Sequence, residues 1–261
     1  MNKLERQNQL REIFSSLHRA KVKDLSKSLG VSEATIRTDL ESLEEEGFLT
    51  RFHGGALINK KGKPDDEPAG LIVPYEECKE QIGIIAASLI NNFEGVFLGP
   101  GSTCYFIALA LRKRTDITIN VVTNSFLIAS VLGDYPHIRL HFIGGRVQNR
   151  YTVSEDLNKD LQDIYLDKMF FSIDGIDPGA GYTLSDAAVH EVILTVARRT
   201  KMPIMAADVS KFGKRSFMKI GGMDFTPAVV TTPDIPELYL NYYKERRIKV
   251  FTSPRDNTLE D

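Results

Sequence analysis

The sequence is poor in cysteine. Among 261 residues only Cys78 and Cys104 occur, with no CxxC pair and no His/Cys cluster. That excludes a disulfide framework and a structural zinc site, and it fits a reducing cytosol. An excess of either charge is missing as well, with 33 Lys+Arg against 35 Asp+Glu and a formal net charge of -2. Any contact with nucleic acid must therefore come from a local patch. No apolar run approaches the ~18 residues that a membrane span needs. Met1 to Leu10 is polar and charged, unlike a signal peptide. The expected compartment is the cytoplasm, with no membrane partner. No metal and no cofactor are expected.

What is present supports a packed core: 42% of the residues are hydrophobic and 26% charged. Two regimes follow one another. Residues 1–58 are short, helix-patterned and charged, and residues 75–252 alternate short β-branched runs with helical stretches. Residues 59–74 carry Lys60-Lys61-Gly62-Lys63-Pro64-Asp65-Asp66-Glu67-Pro68 and read as an exposed linker. Residues 253–261 read as a polar tail.

The first regime predicts three helices. Leu4, Leu10, Ile13, Phe14 and Leu17 suit one face of the first. Val22, Leu25 and Leu29 line the second, which Gly30 ends. Ser32 stands where an N-cap belongs, and the third helix runs from about Glu33 to Glu46, with Ile36, Leu40 and Leu43 as its buried stripe. That stripe leaves Ala34, Thr38 and Glu41 opposite the core and Thr35 and Arg37 on the flanks. A helix that enters a major groove needs small or hydrogen-bonding residues on its outer first turns. Ser32, Thr35, Arg37 and Thr38 meet that need. Glu44, Glu45 and Glu46 belong to the far end. A hairpin wing is expected over residues 48–58, offering Arg51 and His53 to the DNA backbone.

Three short helices alone leave DNA binding and protein binding equally open. The string Gly30-Val31-Ser32-Glu33-Ala34-Thr35-Ile36-Arg37, then Asp39-Leu40, Leu43-Glu44, Gly47 and Arg51-Phe52-His53-Gly54-Gly55-Ala56, resembles the signature of the DeoR family of bacterial repressors. The family pattern usually has two adjacent arginines in this helix, where the second position here is Thr38. The resemblance implies a winged helix-turn-helix that binds double-stranded operator DNA.

The second regime predicts an open, mostly parallel, Rossmann-like α/β sheet. Ligands of such sheets bind at the carboxyl ends of the strands. Gly99-Pro100-Gly101-Ser102-Thr103 leaves a strand and enters a helix, which makes it a candidate phosphate cradle. Asn124 and Ser125 follow the next strand, Gly144 and Gly145 the third, and Asp174, Asp177, Asp208 and Lys211 later ones. Cys104 beside the cradle is read as a small buried apolar residue. A dinucleotide fingerprint is not met, since no third glycine follows Gly99 and Gly101 at its position.

Together GPGST, VVTNS, IGGR, DGID-x4-YT and ADVSKFG resemble the effector domain of the same family, which is similar in fold to ribose-5-phosphate isomerase. The resemblance implies a phosphorylated sugar held by Gly99, Pro100, Gly101, Ser102, Thr103, Asn124, Ser125, Gly144 and Gly145, with Asp174 and Lys211 near the sugar. Family members commonly carry aspartate in place of Gly99 and lysine in place of Ile193, as groups aimed at the ligand. The expected function is a sugar-phosphate-responsive repressor of carbohydrate genes that acts as a homodimer or homotetramer. The alternative is a sugar-phosphate isomerase with a DNA-binding arm, using Asp174 or Asp177 as base. The isomerase pattern has a lysine in the following glycine-rich turn, and Pro178-Gly179-Ala180-Gly181-Tyr182 has none.

Overall fold

The computed structural model describes residues 3–17, 19–46, 48–52, 54–58 and 75–254. The chain divides into two compact units, Met1–Glu67 and Pro68–Asp261. The expected linker, residues 59–74, lies outside the described residues. Among the described residues no helix is long and apolar enough to cross a membrane.

The first unit runs α1 (Lys3–Leu17), β1 (Arg19–Lys21), α2 (Val22–Leu29), α3 (Glu33–Glu45), β2 (Leu49–Phe52) and β3 (Gly55–Ile58). Leu10 and Phe14 from α1, Leu25 from α2, and Ile36, Leu40 and Leu43 from α3 close one small core. Each such side chain contributes about 1.5–3 kcal/mol by leaving water. Ile13 and Leu29 pack against that core only partly buried. The wing is wider than a hairpin. The strands lie in the order β1-β3-β2, because Arg19, Ala20 and Lys21 pair antiparallel with Leu57, Ala56 and Gly55.

The second unit continues with α4 (Glu76–Ser88), β4 (Gly95–Leu98), α5 (Ser102–Leu111), β5 (Ile119–Thr123), α6 (Phe126–Leu132), β6 (Ile138–Phe142), β7 (Arg146–Gln148), β8 (Tyr151–Val153), α7 (Leu157–Asp160) and β9 (Leu166–Phe171). It ends with β10 (Gly175–Asp177), β11 (Gly181–Leu184), α8 (Ala187–Ala197), β12 (Thr200–Ala206), β13 (Met218–Gly221), β14 (Ala228–Val230), α9 (Glu237–Glu245) and β15 (Lys249–Phe251). Seven strands form a parallel sheet in the order β15-β14-β12-β9-β4-β5-β6. Their side chains alternate between two cores. Val96, Leu98 and Phe170 face the layer of α4, α5 and α6. Phe97, Met169 and Phe171 face α8 and α9. The helix α5 is apolar nearly all round and is correspondingly buried from Thr103 to Ala108.

Two additions flank the sheet. β10, β11 and β13 make a small antiparallel sheet. β7 and β8 make a hairpin.

Candidate nucleic-acid interface and effector site

Ser32 caps α3 as its sequence position predicts. Its Oγ accepts from Thr35 N at 3.2 Å and lies 2.8 Å from Thr35 Oγ1. Arg37 and Thr38 are exposed. Arg37 Nη2 donates to Glu33 Oε2 at 2.9 Å one turn back, a solvated pair that is worth little and easily exchanged. Thr38 Oγ1 donates to Ala34 O at 3.2 Å. The first turns of α3 thus present Ser32, Ala34, Arg37 and Thr38 outward, while Thr35 is half-buried.

Arg51, expected to be available to the DNA backbone, is held by Glu44 and Glu41. Glu44, at the far end of the helix as expected, is its main partner. His53 lies outside the described residues. A buried pair went unforeseen: Arg6 on α1 grips Asp39 on α3 with two hydrogen bonds, Nε to Oδ2 and Nη2 to Oδ1, the latter 3.0 Å. Asp39 is 1% exposed. The signal was present, because Asp39 stands three residues after Ile36 on the inward face.

In the second unit the chain leaves β4 toward β5 and β6, and later leaves β9 the other way, toward β12, β14 and β15. Neighbouring strands β4 and β9 therefore flank the point where the winding reverses, which is where open α/β sheets bind ligands. Residues 99–101 lie there. Gly99 N donates to Phe170 O at 2.9 Å. Gly101 has φ +133°, and a Cβ on it would stand 2.6 Å from Ser172 Oγ, so the turn needs glycine. No side chain caps the start of α5. Its first amides lack a side-chain cap, and Ser102 beside them is half-buried. Pro100 and Thr103 are buried beneath the turn rather than displayed on it.

Asn124 and Ser125 are committed to structure. Asn124 Nδ2 donates to Thr152 O at 2.7 Å, and Ser125 Oγ caps α6 at Ile128 N. Only Asn124 Oδ1, buried and without a hydrogen-bond partner among the described residues, is left over. Gly144 and Gly145 are exposed and lead into the β7–β8 hairpin. At Gly145 φ is +137° and a Cβ would meet Val153 O at 2.2 Å, so this glycine serves the hairpin's close approach.

That hairpin bridges the sheet. Thr152 N donates to Asn124 O at 2.8 Å on the β5 side. Tyr151 OH donates to Asp186 Oδ2 at 2.6 Å at the start of α8. Asp186 Oδ1 in turn caps α8 through Ala188 N and Val189 N. Asp174 lies next to this junction, where its Oδ2 accepts from Ser185 N at 2.8 Å and from Ser185 Oγ at 2.6 Å. Asp177 Oδ1 accepts from Gly179 N and Ala180 N, as a turn-capping aspartate does. Ile193 is 1% exposed and sits in the core below α8, so that position faces apolar side chains and not a ligand. Cys104 is fully buried, and burial pushes its thiol up to about 12, which fits its apolar reading.

One pair at the strand ends was missed. Lys79 on α4 pairs with Asp208, which follows β12. Burial pushes the Lys79 ammonium pKa down, against the pull of Asp208, and the charge of nearby Lys211 lowers it further. Asp208 Oδ1 accepts from Ser210 N at 3.0 Å, and its Oδ2 has no hydrogen-bond partner among the described residues. Lys211 is half-buried at the end of the 3-10 turn Val209–Lys211. Nothing in the sequence distinguishes Lys79 from the solvated charges around it.

Residues 6–62 match the DeoR-like helix-turn-helix domain, and residues 75–232 match the DeoR C-terminal sensor domain. The chain belongs to the DeoR family. This DeoR protein is 29% identical to the HTH-type transcriptional regulator GolR of Listeria innocua over 248 residues, 94% of this chain and 97% of the relative. It is 28% identical to the lactose phosphotransferase system repressor of Staphylococcus epidermidis over 242 residues, 88% of this chain and 92% of the relative. It is a transcription regulator with a DNA-binding and a sensor domain, and not an enzyme. Among solved structures, ribose 5-phosphate isomerase A of Methanocaldococcus jannaschii aligns over 53% of this chain and 55% of its own, at 18% identity and a TM-score of 0.42.

Proposed function

We propose that this DeoR-family regulator represses carbohydrate-utilisation genes in the cytoplasm, and that a phosphorylated sugar in the sensor crevice relieves the repression. The outward first turns of α3 read the major groove of double-stranded operator DNA, with Arg37 and Thr38 at the base edges and Ser32, Thr35 and His53 near phosphates. Exposed Lys23 and Lys27 lie on α2, the helix that crosses the backbone in this motif. One such unit reads few base pairs, so the working form is a homodimer or homotetramer.

The observation that carries the effector reading is Asp208 Oδ2. A buried carboxylate oxygen without a hydrogen bond costs about 1–3 kcal/mol, and a ligand hydroxyl removes that cost. Lys79 and Lys211 supply positive charge beside it, Asp174 adds a second acceptor, and the uncapped start of α5 with Gly101 and Ser102 takes the phosphate. The ligand acts only if it binds one conformation more tightly than the other.

The test is a gel-shift titration with pentose, hexose and polyol phosphates. Its probe is the duplex that the full-length protein enriches from a random-sequence library. At least one phosphate is expected to weaken the complex and to raise the melting temperature of the free protein. If the whole panel leaves both unchanged, the effector is not a sugar phosphate.

A further inference from the structure

Arg51 is bound from three directions. Its backbone N donates to Glu44 Oε1 at 2.8 Å, its Nε to Glu44 Oε2 at 2.7 Å and its Nη2 to Glu41 Oε1 at 3.1 Å. Glu41 and Glu44 are one turn apart on α3, so their carboxylates rise on the same edge of the helix. Glu44 spends both oxygens on one wing residue, fixing its side chain and its main chain together. The cluster borders a cleft of about 420 Å³ between α3 and the wing, lined by Arg37, Leu40 and Glu44 from the helix and by Arg51, Phe52 and Gly55 from the strands. Leu40 and Leu43 of α3 already pack with Leu49 and Ala56 of the wing in the small core, and across the cleft the ionic cluster adds a directional tie between the two DNA-facing elements.

The charge count is decisive. One guanidinium meets two carboxylates, so the cluster carries a formal charge of -1. A net-negative group does not neutralise a phosphate, and a phosphate that took Arg51 would leave two carboxylates unpaired beside the DNA. Arg37 differs, since it has one solvated partner and gives it up at little cost.

We propose that Arg51, through Glu44 and Glu41, is a positioning residue that sets the wing against the recognition helix, and is not a phosphate contact. The proposal rests on the DNA reading above. Glu44 thereby becomes a determinant of DNA discrimination although it touches no DNA.

The two roles of Arg51 predict opposite signs for one substitution. Glu44→Gln weakens the main hold on Arg51, leaving Glu41 as its charged partner, and removes a negative charge near DNA. Were Arg51 a phosphate contact, DNA binding would tighten. With Arg51 as a positioning residue, the wing loosens and discrimination falls. The experiment measures affinity of the full-length wild type, E44Q, R51Q and the double variant across a range of KCl concentrations. The probes are the enriched duplex and a scrambled duplex of equal length. Thermal unfolding confirms that each variant is folded, and Glu41→Gln, which leaves the Glu44 bonds in place, supplies a milder second variant.

Expected are a loss of about fivefold in the specific-to-nonspecific ratio for E44Q and for R51Q, and a smaller loss for E41Q. The double variant is expected to be no worse than either single one. The salt slope of R51Q is expected to equal that of the wild type. An unchanged or higher specific-to-nonspecific ratio for E44Q, or a salt slope for R51Q reduced by about 0.9, overturns the proposal. Failure of the wild type to enrich any duplex overturns the DNA reading itself.

Discussion

Lys79 Nζ stands 3.8 Å from Asp208 Oδ2, with the two side chains only 5% and 0% exposed. At that distance the pair attracts without a direct hydrogen bond. The two partners are not equivalent. Losing the lysine leaves a buried carboxylate alone, while losing the carboxylate leaves an ammonium whose pKa burial has already lowered and which can shed its proton. Lys79→Met is therefore expected to cost about 3 kcal/mol and Asp208→Asn distinctly less, with partial recovery in the double variant. Urea unfolding of the three proteins measures this. Equal stability of Lys79→Met and wild type would show that the pair carries no such strain.

Much of the architecture was legible because burial and periodicity coincide. The helix Val22–Leu29, which Gly30 ends as expected, and the strand Gly95–Leu98 just before the glycine turn were legible, each being a compact apolar pattern between turn residues. The strands Arg19–Lys21, Gly175–Asp177, Gly181–Leu184 and Met218–Gly221 were not, since three or four residues carry no period of their own and pair only through tertiary contact. Helix Glu237–Glu245 was missed because Pro236 and three tyrosines obscure its stripe. At the site, the glycine turn could be read from backbone requirements. The engagement of Asn124 and Arg51 could not, because it depends on partners 28 and 7 residues away whose approach the fold decides.

Gly101 and Gly99 lie two residues apart in the same turn and should respond differently to a methyl group. Gly101→Ala meets a left-handed φ and the Ser172 hydroxyl, and is expected to destabilise the sensor unit by about 1–2 kcal/mol and to lose anion binding at the start of α5. At Gly99 a Cβ would stand 3.4 Å from Phe170 O and 3.6 Å from Phe171 Cβ, without a left-handed φ. Gly99→Ala should shift the melting temperature little. A Gly99→Ala protein less stable than Gly101→Ala would reverse this account of the turn.

Tyr151 ties the β7–β8 hairpin to the start of α8. Burial and the neighbouring Asp186 charge push its phenol above the ordinary value, so it stays a donor at any working pH. Tyr151→Phe removes two hydrogen bonds, the one accepted from Gln148 and the one donated to Asp186, at an expected cost of about 1–2 kcal/mol. Asp186→Ala removes that bond and the α8 cap together, at about 2 kcal/mol. Hydrogen exchange on Thr152 and Val153 should rise in both variants. Unchanged exchange there would mean that the hairpin is held from the Asn124 side alone.

The Arg6–Asp39 pair sets up the same asymmetry in the smaller unit. Asp39 is almost fully buried, and its side-chain partners among the described residues are the two nitrogens of Arg6. Arg6→Leu is expected to cost about 3 kcal/mol, and Arg6→Leu with Asp39→Leu less than that, because the second change removes the stranded charge. Chemical unfolding followed by helical circular dichroism orders the variants. A double variant worse than Arg6→Leu alone would argue that Asp39 does more than answer Arg6.

Glu44 should report its own titration through the wing. Its carboxyl lies below its ordinary value of 4.5, first because the Arg51 amide donates to it and next because the guanidinium does. A carboxyl depressed by folding contributes stability that is complete above its unfolded value and is lost as pH falls through the folded one. The Arg51 amide proton, bonded to Oε1, should therefore shift with pH along a curve whose midpoint lies below 4.5. Arg51→Gln keeps the amide and removes the guanidinium, so its midpoint should move back toward 4.5 without reaching it. NMR titration of the amide distinguishes the two contributions. A wild-type midpoint at the ordinary value would mean that Glu44 does not grip Arg51 in solution, and the wing would then need another anchor on α3.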